Sequence, residues 1–214
     1  MDEVLEISAT SLEVSGIALL IAVLIGISLG VIIGLGRFKG KRFIISLVNT
    51  GMGTPPVLVG LVVAILLWRS GPLGFLELLY SRPAMIIAQV IIATPLVMAF
   101  TTAGIQRVDP ELISQTVALG ADRLQLFWIL VRETRLTLLA AVMAGFGGII
   151  SEVGAVLMVG GNIKGDTQVL TTAIVEKTRQ GNFEMALVFG AVLLLISFGI
   201  NLCLTILQQK ETLV

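Results

Sequence analysis

One carboxylate in this sequence lies inside an apolar run, where a charge is unusual. Glu152 follows Ser151 in the stretch "GFGGIISEVGAVLMVGG". An ionisable group at membrane depth is costly, which makes Glu152 a candidate for a functional site. A second interpretation is that Glu152 lies near a cavity wall and pairs with backbone groups or with hydroxyls such as that of Ser151. The sequence leaves both interpretations open.

The residue types that the chain lacks limit its chemistry. It has no histidine and one cysteine, Cys203. This composition excludes disulfides within the chain, the usual His/Cys zinc sites and any Ser-His or Cys-His nucleophile. A proton relay would need further titratable groups across the apolar runs, which hold none besides Glu152. We therefore predict no catalytic residue, no metal site and no cofactor in this chain, and we predict that it is not an enzyme.

Two proline sites inside apolar runs are further candidates. Thr54, Pro55 and Pro56 lie in "NTGMGTPPVLVG", and Thr94 and Pro95 lie in "IIATPLVMAF". Proline removes a backbone donor and clashes one turn back, so it kinks or breaks a helix. In lipid such breaks are tolerated against protein or a water-filled cavity, where the threonine hydroxyls could act as weak donors. An ordinary kink explains either site alone, whereas two sites in neighbouring runs favour a pathway lining.

The elements that must position these residues are membrane-spanning helices. The chain of 214 residues is 56% hydrophobic and 13% charged, a balance typical of membrane proteins. Each apolar run exceeds the roughly 20 residues that cross a bilayer as a helix. We predict an all-α membrane protein, one domain over residues 1–214, with about five spans at residues 14–36, 43–68, 83–106, 136–160 and 185–208.

Basic residues are concentrated on one predicted side of the membrane. Lysine and arginine in short connections stay on the cytoplasmic side, which predicts an N-terminus outside and a C-terminus inside. Nine basic residues lie on the predicted inner side and five on the outer side. The inner set is Arg37, Lys39, Lys41, Arg42, Arg107, Arg123, Arg132, Arg135 and Lys210, and the outer set is Arg69, Arg82, Lys164, Lys177 and Arg179.

Three glycines in the first predicted span recur every four residues. Gly26, Gly30 and Gly34 therefore lie on one face of a helix. Small residues with this spacing allow a second helix to approach closely. We predict that this face packs against a neighbouring span and forms no site.

The polar segment "ISQTVALGADRLQLFW" between the third and fourth spans predicts two short helices. Asp109 and Pro110 have the residue types of an N-cap and a first helical position. Gly120 is a natural left-handed stop for the first helix. Asp122 can cap the second helix, with Gln125 as its capping-box partner. The segment is predicted to be helix, glycine turn, helix.

The apolar residues of this segment form a stripe with spacings of three and four, which leaves several polar residues away from the stripe. Such a segment lies along the membrane surface and either docks on a soluble partner, anchors the connection, or only links two spans. The spacing does not decide among these alternatives. The stripe consists of Ile113, Val117, Ala121, Leu124, Trp128 and Val131, and the polar residues are Ser114, Gln115, Thr116, Asp122 and Arg123.

The stretch "SQTVALGADRLQLFW" resembles the cytoplasmic loop of permease subunits of binding-protein-dependent ABC importers. Gly120 and Ala121 match the Gly-Ala of the family signature, and Phe127 matches its aromatic residue. The signature begins with Glu-Ala-Ala and ends with Leu-Pro. This sequence departs from it at both ends, with Ser114, Gln115 and Thr116 in place of Glu-Ala-Ala and Arg132 and Glu133 in place of Leu-Pro.

The resemblance extends over nearly the whole chain. The stretches "GMGTPPVLVGLVV", "RSGPLG" and "SEVGAVLMVGGNIKGDTQVLTTAI" are similar to permeases of the molybdate and sulfate type, and most closely to the tungstate subgroup. The resemblance implies a type I ABC importer permease fold in a prokaryotic plasma membrane. It also implies that residues 109–133, here called the coupling segment, dock on the ATPase through Ser114, Gln115, Thr116, Gly120, Ala121, Asp122 and Phe127.

The partners that the resemblance implies are a second copy of the chain, two cytoplasmic ATPases and an external binding protein, with membrane lipid around them and no nucleic acid. ATP and Mg²⁺ then belong to the ATPase. The nearest approach to a phosphate-binding loop, "LGRFKGKR", has Leu35 in place of the first glycine and Arg42 in place of Ser or Thr after Lys41. The alternatives are a molybdate or sulfate permease and a stand-alone ion-coupled carrier, which would need coupling-ion ligands in the membrane.

Overall fold

The computed structural model describes residues 2–212, with side chains as far as residue 209. Met1, the last two residues of the predicted domain and the side chain of Lys210 lie outside the described part. The described residues contain ten α-helices, one turn of 3₁₀ helix at Gly74–Leu76 and no strand. The α-helices are α1 (Asp2–Leu35), α2 (Lys41–Met52), α3 (Pro56–Leu67), α4 (Arg82–Gln106), α5 (Pro110–Ala118), α6 (Arg123–Glu133), α7 (Arg135–Ile150), α8 (Gly154–Gly160), α9 (Leu170–Arg179) and α10 (Phe183–Thr212).

Three helices, α1, α4 and α10, are each long and apolar enough to cross a membrane. Two bent pairs reach that length together, namely α2 with α3 and α7 with α8. Counting each pair as one span gives five, in agreement with the predicted number. Helix α1 begins at Asp2, well before residue 14, where its span was predicted to start. Its polar first turns are compatible with a helix that extends beyond the bilayer.

The most extensive helix pairing joins α1 and α4 across the three glycines. A Cβ atom built at Gly30 would lie 2.5 Å from the Cβ of Thr101 on α4. The neighbouring glycines are equally tight, Gly26 against Val97 and Gly34 against Ile105. Because no side chain separates the helices at these positions, the backbones approach closely and gain dispersion contacts along the pair. The prediction that this face packs against another span is confirmed.

The double proline breaks the second apolar run as predicted. Helix α2 ends at Met52, Pro55 caps α3, and Pro56 occupies its first turn. The two helices are bent by 98° at this break. Proline at the first turn costs nothing, because the N–H of that residue would have no intrahelical partner.

The fourth apolar run, predicted as one span over residues 136–160, contains a bend that the sequence did not predict. Helix α7 ends at Ile150, α8 begins at Gly154, and the two are bent by 57°. The two helices still reach the length of one span together. Glycine has weak helix propensity, and this run contains Gly145, Gly147 and Gly148 just before the break. Side chains from other helices can then compete for the backbone groups, which an apolar pattern does not reveal.

Polar contacts fasten α9 to the N-terminal end of α1. Arg82, at the start of α4, donates to Glu13 on α1 at 2.7 Å and to the backbone carbonyl of Asp166 at 2.9 Å. The backbone N–H of Leu170 donates to the hydroxyl of Ser11 at 2.8 Å. These contacts hold the segment between α8 and α10 against the end of the bundle where α1 begins. Helix α9 thereby lies beside the break between α7 and α8.

Candidate functional site

The coupling segment has the helix–turn–helix form that its capping residues predict. The carboxylate of Asp109 accepts the N–H of Glu111 at 2.8 Å, at the start of α5. Asp122 accepts the N–H of Gln125 at 2.8 Å, while the side chain of Gln125 accepts the N–H of Asp122 at 2.9 Å. These reciprocal bonds form the predicted capping box at the start of α6.

The turn between α5 and α6 depends on Gly120. Its φ angle of +88° lies in the left-handed region, where a side chain is unfavourable. The N–H of Gly120 donates to the carbonyl of Val117 at 3.0 Å, and that of Ala121 donates to Thr116 at 3.3 Å. No heavy atom lies within 4 Å of the position that a Cβ would take. The tip of the coupling segment is therefore a tight turn that projects into open space.

The seven residues predicted to contact the ATPase differ in accessibility. Thr116 is buried and 8% exposed, while Ala121 and Phe127 are half-buried. Phe127 packs edge to face with Trp128, with ring centroids 5.5 Å apart. The fully accessible members are Ser114, Gln115, Gly120 and Asp122. In this chain, Thr116 and Phe127 are thus placed to hold the segment in position, and the four exposed residues form its free surface.

The predicted apolar stripe is divided between two environments. Ile113 and Val131 pack against a buried cluster formed by Leu130, Val31 of α1 and Ile105 of α4. The exposed members are Val117, Leu124 and Trp128. One side of the coupling segment is thereby fixed to the helix bundle, while apolar groups remain on the other side.

Leu119, which the stripe omitted, is the most accessible apolar residue of the segment at 89% exposure. It directly precedes the turn at Gly120, and Val117 two residues earlier is also exposed. A leucine next to a left-handed glycine was the sequence signal that could have identified it, because the chain leaves the helix axis at that point. The tip therefore presents apolar as well as polar groups.

The two proline sites lie against each other in the folded chain. A Cβ at Gly51, near the end of α2, would lie 2.8 Å from the Cβ of Pro95. Pro95 itself is inside the continuous helix α4. The hydroxyls of Thr54 and Thr94 donate to the carbonyls four residues earlier, at 3.1 and 2.7 Å. Both hydroxyl hydrogens are thus used within the chain, and each would have to rotate to donate to an ion.

Ser151 and Glu152 form part of the break between α7 and α8. The hydroxyl of exposed Ser151 donates to the carbonyls of Gly147 and Gly148 at 2.7 and 3.2 Å. The carboxylate of Glu152 accepts the N–H of Ala155 at 2.9 Å, in the first turn of α8. Glu152 directly precedes Val153, the N-cap residue of α8, and its side chain caps the first turn in place of that residue. This corresponds to the interpretation that its carboxylate pairs with the backbone.

Two residues that sequence reasoning missed donate hydrogen bonds to the same break from other helices. Gln89 on α4 is 2% exposed, and its amide donates to the carbonyl of Ile149 at 3.1 Å. Thr171 on α9 donates to the carbonyl of Glu152 at 2.8 Å. Each bond satisfies a carbonyl near the broken turn. The sequence did contain one signal, because Gln89 is an amide in the interior of an apolar run.

The two breaks are brought together by the packing of α3 on α8. A Cβ at Gly154 would lie 2.5 Å from Val57, and one at Gly60 would lie 2.6 Å from the Cα of Ala155. The first turn of α3, which contains Pro56, therefore lies beside the first turn of α8. The predicted pathway residues Thr54, Pro55, Pro56, Thr94, Pro95, Ser151 and Glu152 are consequently gathered around two adjacent breaks.

Within residues 2–212, no three side chains of His, Cys, Asp or Glu lie close enough together to hold a metal ion. Glu152 contributes one carboxylate to the breaks. The groups that remain for an ion are hydroxyls and backbone atoms, which bind weakly in comparison with a charged side chain.

Comparison with known proteins identifies similar chains in transport systems. The family model described as "Binding-protein-dependent transport system inner membrane component" matches residues 26–210. A tungstate uptake permease of Peptoclostridium acidaminophilum is 43% identical over 94% of this chain and 88% of its own. A probable anion ABC transporter permease of Haloferax volcanii is 40% identical over 91% of this chain and 86% of its own.

One more permease and one solved structure are also similar to this chain. A tungstate uptake permease of Campylobacter jejuni is 37% identical over 77% of this chain and 69% of its own. Among solved structures, a bacterial ABC transporter that imports the acidic polysaccharide alginate has a chain with a TM-score of 0.82 and 20% identity, covering 98% of this chain and 80% of that one. At this identity the match concerns the fold, and it confirms the predicted all-α permease architecture.

Proposed function

The chain belongs to the family of binding-protein-dependent transport inner membrane components, which are permease subunits of ABC importers and not enzymes, and we propose that the ion it imports is tungstate. The observation that carries this proposal is the similarity to tungstate uptake permeases of two bacteria, at 43% and 37% identity. A family of this kind works with an ATPase and a substrate-binding protein. ATP and Mg²⁺ are held by the ATPase, so this chain needs no cofactor of its own.

The proposed assembly contains two copies of this chain. Gly148 and Ala144 are exposed on α7, and Ser151, directly after its last residue, is also exposed. A polar hydroxyl at membrane depth is better placed against protein or water than against lipid. Two copies facing each other across this surface would enclose the two breaks and complete a pathway from the binding protein to the cytoplasm.

The proposed orientation has the N-terminus outside and the C-terminus in the cytoplasm of a prokaryotic cell. It rests on the excess of lysine and arginine in the connections on the coupling-segment side. The end of the bundle where α1 begins, which α9 packs against, then faces the binding protein. Residues 109–133 face the ATPase, where Ser114, Gln115, Asp122 and Leu119 are accessible for docking.

The proposed mechanism is alternating access without any covalent change in the ion. ATP-driven closure of the two ATPases pulls the coupling segments together, and the helices that carry the breaks change between outward-facing and inward-facing arrangements. The tight turn at Gly120 transmits this displacement, because the buried residues Thr116 and Leu130 fix the segment to the bundle. Weak donors at the breaks allow a dianion to pass without being trapped.

Reconstitution of the complex with its ATPase and binding protein tests the choice of ion. We expect tungstate to stimulate ATP hydrolysis at lower concentration than molybdate, and sulfate to have the weakest effect. The physical reason is that the binding protein and pathway discriminate among tetrahedral dianions by size and hydration. Equal stimulation by all three ions would remove the tungstate preference and leave a general oxyanion importer.

The variant Glu152→Gln tests whether Glu152 acts as a proton carrier. Glutamine keeps an oxygen that can accept the N–H of Ala155, so the cap on α8 is retained while the charge is lost. We expect an altered rate of ATP-driven uptake and no transport driven by a pH gradient. Uptake of labelled tungstate into vesicles measures both activities.

Glu152→Ala is the matched comparison for that experiment, because it removes the cap as well as the charge. Loss of a helix cap costs about 1 kcal/mol, so the alanine variant should also unfold at a lower temperature. Proton-driven uptake by the original chain in vesicles without the ATPase would favour the stand-alone carrier and contradict the importer.

A further inference from the structure

Helix α2 has an exposed polar face that the proposed function does not yet use. Arg42, Ser46, Asn49 and Thr50 lie along this face, and all four are exposed. At 3.6 residues per turn these four side chains lie within about 100° of the helix circumference. They form a continuous strip, here called the polar strip, that rises about 12 Å along the axis from Arg42 to Thr50.

The rest of the α2 surface divides into two apolar sectors. Val48 is buried and Gly51 is half-buried, on the side that packs against α4. Phe43 and Leu47 are 73% and 62% exposed on another side, which suits contact with lipid tails. The polar strip lies between the packed sector and the apolar exposed sector. Lipid contact along the strip would leave the amide of Asn49 and the hydroxyl of Ser46 without hydrogen-bond partners in hydrocarbon, which is costly.

Contacts with α4 fix where the polar strip lies along the bundle. Gly51, near one end of α2, lies against Pro95 in the middle of α4. Asn49 lines a cavity of about 190 Å³ together with Thr102 and Gln106, toward the end of α4. Helix α2 therefore runs antiparallel to the second half of α4. The polar strip extends from the level of the double-proline break to the end of the bundle that holds the coupling segment.

A second cavity continues this route to the basic connection after α1. It has a volume of about 480 Å³ and is lined by Arg42, Lys41 and Phe38, among others. It shares Ile45 and Gln106 with the first cavity, so the two adjoin. Lys41 is engaged at the end of α1, where its amine donates to the carbonyls of Gly34 and Gly36. Arg42 is exposed at this mouth.

The hydrogen-bonding state of the strip suits a passing anion. The hydroxyl of Thr50 donates to the carbonyl of Ser46 at 2.9 Å. Within the part of the chain that the structure describes, the side chains of Asn49 and Ser46 make no hydrogen bond. An amide N–H₂ is a neutral donor that can replace part of the hydration shell of an oxyanion without the strength of a fixed charge.

We propose that the polar strip of α2 lines the inner half of the ion's route, with Asn49 as its central anion donor and Arg42 at its cytoplasmic mouth. The occupant is a hydrated tetrahedral dianion. Asn49 and Ser46 guide it from the double-proline break, and Arg42 raises its local concentration at the exit. This inference rests on the proposed function, because it assigns residues to the route of the same ion.

The rate of cysteine labelling tests whether the strip faces water, and protection by tungstate tests whether the ion occupies it. Asn49→Cys and Ser46→Cys are made in a Cys203→Ala chain, which removes the single native thiol. The complex is treated in inverted vesicles with a membrane-impermeant, charged thiosulfonate. We expect rapid labelling at both positions, slowed by tungstate. Leu47→Cys, on the apolar exposed sector, is the matched control and should label at least about tenfold more slowly, because thiolates form poorly in lipid.

Two sets of labelling results would contradict the proposal. Equal labelling at Asn49→Cys and Leu47→Cys, or none at Asn49→Cys, places the strip away from water and overturns the proposal. Rapid oxidative cross-linking of Asn49→Cys between two copies, with labelling unaffected by tungstate, makes the strip a contact between copies and also overturns it.

Substitutions that keep the amide of Asn49 or replace it with a carboxylate test the chemistry of the strip. Asn49→Asp places a carboxylate in the route of a dianion, and we expect uptake to fall about tenfold or more through like-charge repulsion. Asn49→Gln keeps the amide donors and should retain most uptake. Uptake by Asn49→Asp equal to that of the original chain would contradict the assignment. Failure of the original complex to take up tungstate would instead contradict the proposed ion, while leaving the labelling result interpretable.

Discussion

Replacement of Gly120 by valine is expected to abolish tungstate uptake while the chain still inserts and folds in the membrane. Gly120 has a φ of +88°, which a β-branched residue adopts only at a cost of about 1–2 kcal/mol or more. The strain is relieved by a change in the turn, because open space surrounds the position. The relative direction of α5 and α6 then changes, and with it the position of the exposed tip.

The measurements are uptake and ATP hydrolysis by the reconstituted complex, together with the amount of folded chain in the membrane. We expect hydrolysis to become insensitive to the ion and its binding protein while uptake is lost. This separation of hydrolysis from uptake is what a defect in coupling produces, whereas a folding defect lowers both activities together.

Two control variants distinguish coupling from general strain. Gly120→Asn should retain more uptake, because asparagine tolerates the left-handed region better than valine. Gly181→Val introduces a comparable strain at a φ of +75°, also in open space, in the turn between α9 and α10. Uptake at the original level in Gly120→Val, or an equal uncoupling in Gly181→Val, would contradict the role assigned to this turn.

Replacement of Gly60 by alanine is expected to destabilise the fold strongly for the addition of a single methyl group. The new Cβ would lie 2.6 Å from the Cα of Ala155 and 3.1 Å from its carbonyl oxygen. These are backbone atoms, which cannot rotate away as a side chain can. Helices α3 and α8 must therefore move apart, at an overpacking cost of about 1–3 kcal/mol.

Thermal unfolding of the purified chain in detergent measures this effect, with ion-stimulated ATP hydrolysis as a second measurement. Separation of α3 from α8 also moves the first turns that lie beside the two breaks, so we expect transport to fall with stability. Gly16→Ala in α1 is the matched control, because nothing lies within 4 Å of its added Cβ. A melting temperature for Gly60→Ala equal to that of Gly16→Ala would refute the close packing of α3 on α8.

The coupling segment was predictable in detail because its structure is locally determined. Asp109 and Asp122 each bond to a backbone group two or three residues away. Gly120 acts through its own backbone angle. Caps and left-handed turns of this kind depend on neighbouring residues in the chain and are therefore visible in the order of amino acids.

The inner face of the same segment was not predictable in this way. The apolar stripe has regular helical spacing, yet Ile113 packs into the bundle while Trp128 is exposed. Spacing defines a face of each helix but not its orientation across the glycine turn. The side chain of Leu130, from the helix that follows the turn, selects the packed face by its contacts with α1 and α4.

In the candidate pathway, too, local features were predictable and contacts between distant residues were not. Proline chemistry predicted the break at Pro55 and Pro56 because proline acts on its own helix. The break before α8 was missed, since its carbonyls are satisfied by Gln89 and Thr171, which are 60 and 19 residues distant from their partners. An apolar run gives no information about such partners. The roles of Thr54, Thr94, Ser151 and Glu152 in transport remain predictions.

By itself the sequence determined the apolar segments, the local caps and turns, and the resemblance that identified the family. These features follow from the transfer of each segment into lipid and from bonds between near neighbours. The tertiary structure alone decided that the fourth apolar run is bent, that its break meets the proline break between α3 and α8, and that a polar strip on α2 lies beside α4. The physical reason is that a broken helix in a membrane is stable only where distant groups satisfy its backbone, and those groups come together on folding.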